Sequence, residues 1–212
     1  IYVFICNNYL DNINEKDLPK NVSIKKKSNI LQIDFIKILW MQLVFPFELI
    51  LLNIEKIFSP MNYCPVFCRI MKIKIILGIH SNLPWVYFNK MPGSKIKNFF
   101  IKKFMEISVK SCDKLIVNSN FAKDEIIKYL NIEKKNVQVV YLGADGQEEI
   151  EKVEVKNIKN FNYETQYILC VSSCVRYHNF ITILESFKDI LYKDKKNIKL
   201  VFVSQIFDKE YL

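Results

Sequence analysis

Apolar residues fall along this chain in short blocks separated by polar stretches, and the blocks predict the elements. IYVFI (1–5) is a continuous apolar run and reads as a short buried strand. Residues 6–29, with their NNYLDN and KKKSN runs, read as loop. The stretch Ile30–Ile54 is long enough to span a bilayer. Asp34, Lys37, Gln42 and Glu48 interrupt it, however, and charges at those depths are costly in lipid. It therefore predicts a helix that is buried or lies on a membrane surface, broken near Pro46.

Further blocks follow in alternation. KIFSP (56–60) predicts a short strand, and KIKIILGIH (72–80) a stronger, β-branched one closed by the turn-forming SNLP. Ser94 is placed to cap a helix on which Ile96, Phe99, Phe100, Phe104 and Ile107 share one face and Lys95, Lys102 and Lys103 lie largely on the rest. Residues 113–119 predict a strand, with Ser119 or Asn120 capping the next helix. A strand over 136–145 then ends in a Gly turn. The charged, weakly periodic residues 146–165 read as a linker. Beyond it come a buried strand (165–173), a helix marked by Phe180, Ile183, Leu184, Phe187 and Leu191, and a strand (197–204).

Strands that are apolar throughout, alternating with helices, indicate a parallel sheet covered on both faces. The expectation is an α/β chain: a doubly wound domain over 1–145, a linker over 146–165, and a β-α-β piece over 166–212 too small to bury a core alone.

Composition narrows the chemistry. Only 4 of the 212 residues are Gly, where about 15 would be average. No G-x-x-x-x-G-K-[ST] phosphate loop and no G-x-G-x-x-G fingerprint is present. The net charge of +9 comes from Lys, since Arg69 and Arg176 are the only arginines. That excess is either an AT-rich coding background or an attraction to phosphates or an anionic membrane. Diffuse Lys makes no reading head, so nucleic acid is not an expected partner. The 6 Cys form no zinc motif and are expected as reduced thiols. There is no G-x-S-x-G elbow, H-E-x-x-H, EF-hand or D-x-D cluster, so metal catalysis is not expected.

In open parallel sheets ligands bind at the carboxyl ends of the strands. That rule selects the region of Asn62, the run His80-Ser81-Asn82, the pair Asn118-Ser119, and the segment Ser172–Asn179. His80 closes the strongest strand and is a hydrogen-bond donor, a base, or an ordinary polar loop residue. Ser119 contacts substrate or only caps its helix. Segment 172–179 leads into a helix start, where Arg176 and His178 suit a phosphate or simply face water.

Taken in order, these segments resemble the family-four glycosyltransferases of the GT-B fold, those of bacterial cell-surface polysaccharide synthesis. WMQLVFPFEL (40–49) is similar to the family's W-E-Q-x-x-x-P helix, with Gln42 and Pro46 matching and Met41 in place of Glu. IFSPMNYCP (57–65) resembles its s-P-x-N-x-x-P loop, and KIILGIHSNLPW (74–85) its strand ending in His. Residues 112–145 follow a further family block, and YILCVSSCVRYHNFITILESF (167–187) resembles the opening of the second domain.

The resemblance implies a Rossmann-like acceptor domain and the start of a donor domain. It implies transfer of a sugar, with retention, from a nucleotide-sugar donor to a saccharide or lipid-linked acceptor, without metal or other cofactor. His80 would be catalytic; Ser172, Arg176 and His178 would hold the donor diphosphate; Asn62, Ser81, Asn82 and Ser119 would line the acceptor cleft. His178 stands where the family has a phosphate-binding Lys, and Ser172 where it has a turn Gly. The family's first Gly-rich loop would precede Ile1 and its E-x7-E motif would follow Leu212. The chain is therefore expected to be an incomplete piece, inactive alone. Its expected place is cytoplasmic, with peripheral contact to an anionic inner membrane face. The alternative is a non-catalytic α/β binding module.

Overall fold

A computed structural model describes residues 1–6, 18–143, 166–194 and 198–204. The chain divides into two compact units, Ile1–His80 with Phe104–Val140, and Ser81–Lys103 with Tyr141–Leu212. The expected linker, 146–165, lies outside the described residues.

The first unit opens with β1 (Tyr2–Cys6) and β2 (Ser23–Lys27), paired in parallel with Tyr2 opposite Ser23 and Cys6 opposite Lys27. Two expectations change here. Part of 6–29 is a strand and not loop, and β1 is not buried, with Tyr2 and Val3 exposed. Among the described residues β1 pairs with β2 alone, which leaves it exposed, and the lysines of β2 reach its rings. Lys25 lies over the Tyr2 ring at 5.1 Å, and Lys27 lies over Phe4 and Trp40, each at 5.3 Å, while its ammonium pairs with Glu48. Lysine ammoniums over aromatic faces support a strand that hydropathy reads as loop.

A short 3-10 turn, Asn29–Gln32, then leads into α1 (Asp34–Leu43) and α2 (Phe45–Leu51). The break at Val44 follows from Pro46, which has no N–H to offer the Gln42 carbonyl. Met41, Pro46 and Leu49 are buried. Phe35 (70% exposed), Leu39, Leu43, Phe47 and Leu51 (82%) form an outer apolar stripe. No helix among the described residues is long and apolar enough to cross a membrane.

The main sheet follows: β3 (Lys56–Ser59), β4 (Lys74–Ile79), then β5 (Lys114–Val117) and β6 (Val137–Val139). Its order is β3-β4-β5-β6, parallel throughout, as the apolar strands predicted. Ile75, Leu77, Ile79, Leu115 and Val117 are essentially fully buried, so the core sits on β4 and β5. Between β4 and β5 run α3 (Leu83–Val86) and α4 (Lys95–Ser111), and between β5 and β6 runs α5 (Asn120–Leu130). This is a Rossmann-like α/β arrangement.

The face expected to be apolar on α4 is not its buried one. Ile96, Phe99, Phe100 (66%) and Ile107 are exposed, whereas Asn98, Met105, Ser108 and Val109 are buried. Hydrogen bonds choose the side. Ser108 Oγ accepts the Cys64 N–H at 3.2 Å, and Asn98 Nδ2 donates to the Pro92 carbonyl at 3.3 Å. Lys102 and Lys103 lie over the rings of Phe88 (5.5 Å) and Phe99 (5.9 Å). Burial pushes the Cys64 thiol up to about 11, and those of Cys68 and Cys112 up to about 12. All three are free, Cys64 and Cys68 buried and Cys112 half-buried, and burial disfavours the thiolate that a nucleophile needs.

In the second unit, β7 (Tyr167–Val171) pairs in parallel with β8 (Lys199–Val203), connected through α6 (Phe180–Asp194). The expected buried strand is largely exposed at Tyr167, Ile168, Leu169 and Val171, because among the described residues it pairs with β8 alone. The buried positions come just after it, at Cys174, Val175 and Phe180, with Phe180 against Phe202 at 4.9 Å.

Candidate functional site

The carboxyl ends of β3, β4 and β5 bring three predicted positions of the first unit together. The β3–β4 ladder ends at Ser59 opposite Leu77, and the β4–β5 ladder at Ile79 opposite Val117. His80 is the next residue, and its backbone would leave the sheet unpaired. Two side-chain amides take over. Asn62 Oδ1 accepts the His80 N–H at 2.7 Å, and Asn118 Nδ2 donates to the His80 carbonyl at 3.4 Å. Asn62 is itself fixed, because its N–H donates to the Gly78 carbonyl at 3.1 Å. It sits in the left-handed region, φ 64°, which Asn tolerates better than most residues. Gly78 lets this loop come close: a Cβ there would lie 3.3 Å from Pro60 Cα. His80 is exposed, and among the described residues no hydrogen bond reaches its ring.

Ser119 is the cap of α5, its Oγ accepting the Ala122 N–H at 3.1 Å. Ser81 and Asn82 follow His80 in the chain and fall in the second unit. Ser81 Oγ accepts the Leu83 N–H at 3.3 Å, and the Asn82 carbonyl accepts from Trp85 and Val86 at 3.0 and 3.1 Å. These three residues serve their own turns and helix starts.

The remaining predicted residues lie after β7. Segment 172–179 does not run straight into a helix: Arg176–His178 is a 3-10 turn, Asn179 is left-handed at φ 55°, and α6 begins at Phe180. Ser172 and His178 meet, Oγ to Nδ1 at 2.9 Å, and Nδ1 also lies 2.7 Å from the Ser173 carbonyl. A carbonyl only accepts, so the proton at Nδ1 points to Ser173, and Nε2 is the ring nitrogen that no protein contact occupies among the described residues. Tyr177 sits edge-on to this ring at 4.6 Å, and Arg176 is exposed.

The sequence placed Asn62 and Asn118 at strand ends and gave Asn62 a place in the acceptor cleft, but it gave neither a bond to the main chain of His80. Their signal is an Asn just beyond the last ladder residue, where one amide can stand in for a missing peptide partner. The described residues contain no group of three or more His, Cys, Asp or Glu able to hold a metal ion.

Comparison with known proteins adds two findings. The model of Glycosyltransferase Family 4 matches residues 4–148. The chain is also similar to the O-antigen chain mannosyltransferase RfbU of Salmonella typhimurium (strain LT2), with 24% identity over 125 residues. That match covers 59% of this chain and 31% of the relative.

Proposed function

Because the chain belongs to glycosyltransferase family 4, we propose that it takes part in moving a sugar, with retention, from a nucleotide-sugar donor to a saccharide or lipid-linked acceptor. The observation that carries this reading is His80, presented with an unengaged ring at the carboxyl end of a parallel sheet, inside the matched region. In this reading the sugar becomes oxocarbenium-like as the diphosphate departs. His80 lies near the transferred sugar, with Asn62, Ser81, Asn82 and Ser119 around the acceptor. Arg176, with Ser172 and His178, stabilises the leaving phosphate, and no metal or other cofactor takes part. Mannose, the sugar in the relative's name, is the first donor sugar to try.

Transfer of label from a mannose-bearing sugar nucleotide to a lipid-linked saccharide, measured on this chain and on a longer protein that includes it, tests the reaction and the expectation that the chain alone is inactive. The phosphate site is tested by calorimetry with nucleoside diphosphate. Arg176→Ala is expected to weaken binding about tenfold or more, the scale of one charge-assisted hydrogen bond. His178→Lys is expected to tighten it, since an ammonium brings a full charge and three donors, whereas the His178 ring spends Nδ1 on the Ser173 carbonyl. Unchanged affinity in both variants would remove this segment from the donor site.

The exposed stripe of Phe35, Leu39, Leu43, Phe47 and Leu51 supports peripheral contact with an anionic membrane, where a lipid-linked acceptor would reside. Sedimentation with anionic phospholipid vesicles is expected to fall severalfold on replacing Phe35 and Phe47 together by Ser. Equal binding by that variant rejects the contact.

A further inference from the structure

We infer that Asn62 and Asn118 are positioning residues that set the imidazole of His80 by clamping its main chain from both sides. This rests on the reading that His80 faces the transferred sugar. The geometry is that of a strand end held by one amide from each neighbouring strand's loop. β4 has lost its peptide partners at His80, yet both backbone polar groups there are satisfied, the N–H from the β3 side by Asn62 and the carbonyl from the β5 side by Asn118. A side-chain amide offers one acceptor and one donor in a plane, and here Asn62 gives its acceptor to the His80 N–H while Asn118 gives its donor to the His80 carbonyl. The clamp is anchored in turn, since Asn62 bonds back to Gly78 on β4 and the β4–Pro60 approach leaves no room for a Cβ without displacement. With the main chain fixed at both peptide groups, the remaining freedom of His80 is its two side-chain torsions, and the ring is left exposed for chemistry. Asn62 therefore acts through His80, and its Oδ1 is already engaged.

The two amides have opposite polarity, and that separates a clamp from a general loss of packing. Asn62 accepts, so Asn62→Asp keeps the bond, whereas Asn62→Gly suits the left-handed backbone and loses it. Asn118 donates, so Asn118→Asp sets a carboxylate against a carbonyl and loses it.

The experiment is backbone amide exchange at His80 together with the His80 ring resonance, followed by NMR on the isotope-labelled protein. Asn62→Gly should speed exchange at the His80 amide at least tenfold, while Asn62→Asp keeps it protected. Asn62→Gly and Asn118→Asp should both move the ring resonance toward that of a free histidine. In the transfer assay kcat should fall more than KM changes, and less in Asn62→Asp than in Asn62→Gly.

An unaltered ring resonance in Asn62→Gly and Asn118→Asp overturns the clamp, as does equal harm from Asp and Gly at position 62. Loss of the functional reading looks different: His80→Ala would leave transfer unchanged while the exchange pattern still reported the clamp.

Discussion

In the form that transfers sugar, His80→Ala is expected to lower kcat/KM by about a hundredfold or more, the lower end of what a placed acid, base or hydrogen-bond donor contributes. The substitution removes a ring that is exposed and that no hydrogen bond holds among the described residues. The bonds that involve His80 run through its backbone N–H and carbonyl, and these survive in Ala. Stability should therefore shift by no more than about 0.5 kcal/mol, as for a surface substitution outside special features. The pair of measurements discriminates. Lost turnover with an unchanged urea midpoint assigns the ring to chemistry or substrate contact. Unchanged turnover removes His80 from the reaction and returns it to the ordinary polar loop residue that its sequence context also allowed.

How far the site could be read beforehand differs from residue to residue. KIKIILGIH announces β4 because β-branched residues run without interruption into a turn, and the strand-end rule then points at His80. Pro46 likewise marks the break between α1 and α2 through a property of its own backbone. What stayed hidden depends on partners distant in sequence. Lys25 and Lys27 read as solvated charges until the rings of Tyr2, Phe4 and Trp40 are placed under them. The seam of α4 could not be chosen from periodicity, because its buried Asn98 and Ser108 are selected by a loop carbonyl and a loop N–H. The meeting of Ser172 with His178 depends on a 3-10 turn where a helix start was expected. Asn62 and Asn118 were visible as residues at strand ends. Their bonds were not, since they reach the main chain of His80 on a different strand.

The same distinction governs Gln42, a position that stands out by resemblance and whose work in the fold is structural. Its Nε2 donates to the Cys64 carbonyl at 3.0 Å and its Oε1 accepts the Val66 N–H at 2.8 Å. One amide from α1 thus satisfies two backbone groups of the loop that follows β3. The same loop carries Asn62, and Ser59 Oγ closes it further by donating to the Tyr63 carbonyl at 2.7 Å.

Gln42→Leu keeps the volume and strands both groups in a partly buried place, so it should destabilise the first unit by about 2–4 kcal/mol. Gln42→Glu should cost less at Val66, whose N–H keeps its acceptor, and more at Cys64, where a carboxylate then meets a carbonyl. Urea midpoints give the totals, and amide exchange at Val66 separates the two halves: fast in the Leu variant, protected in the Glu variant. A Leu variant as stable as the parent would show that water replaces the amide without cost. The position would then have to matter through substrate, which the transfer assay on that folded variant would detect directly.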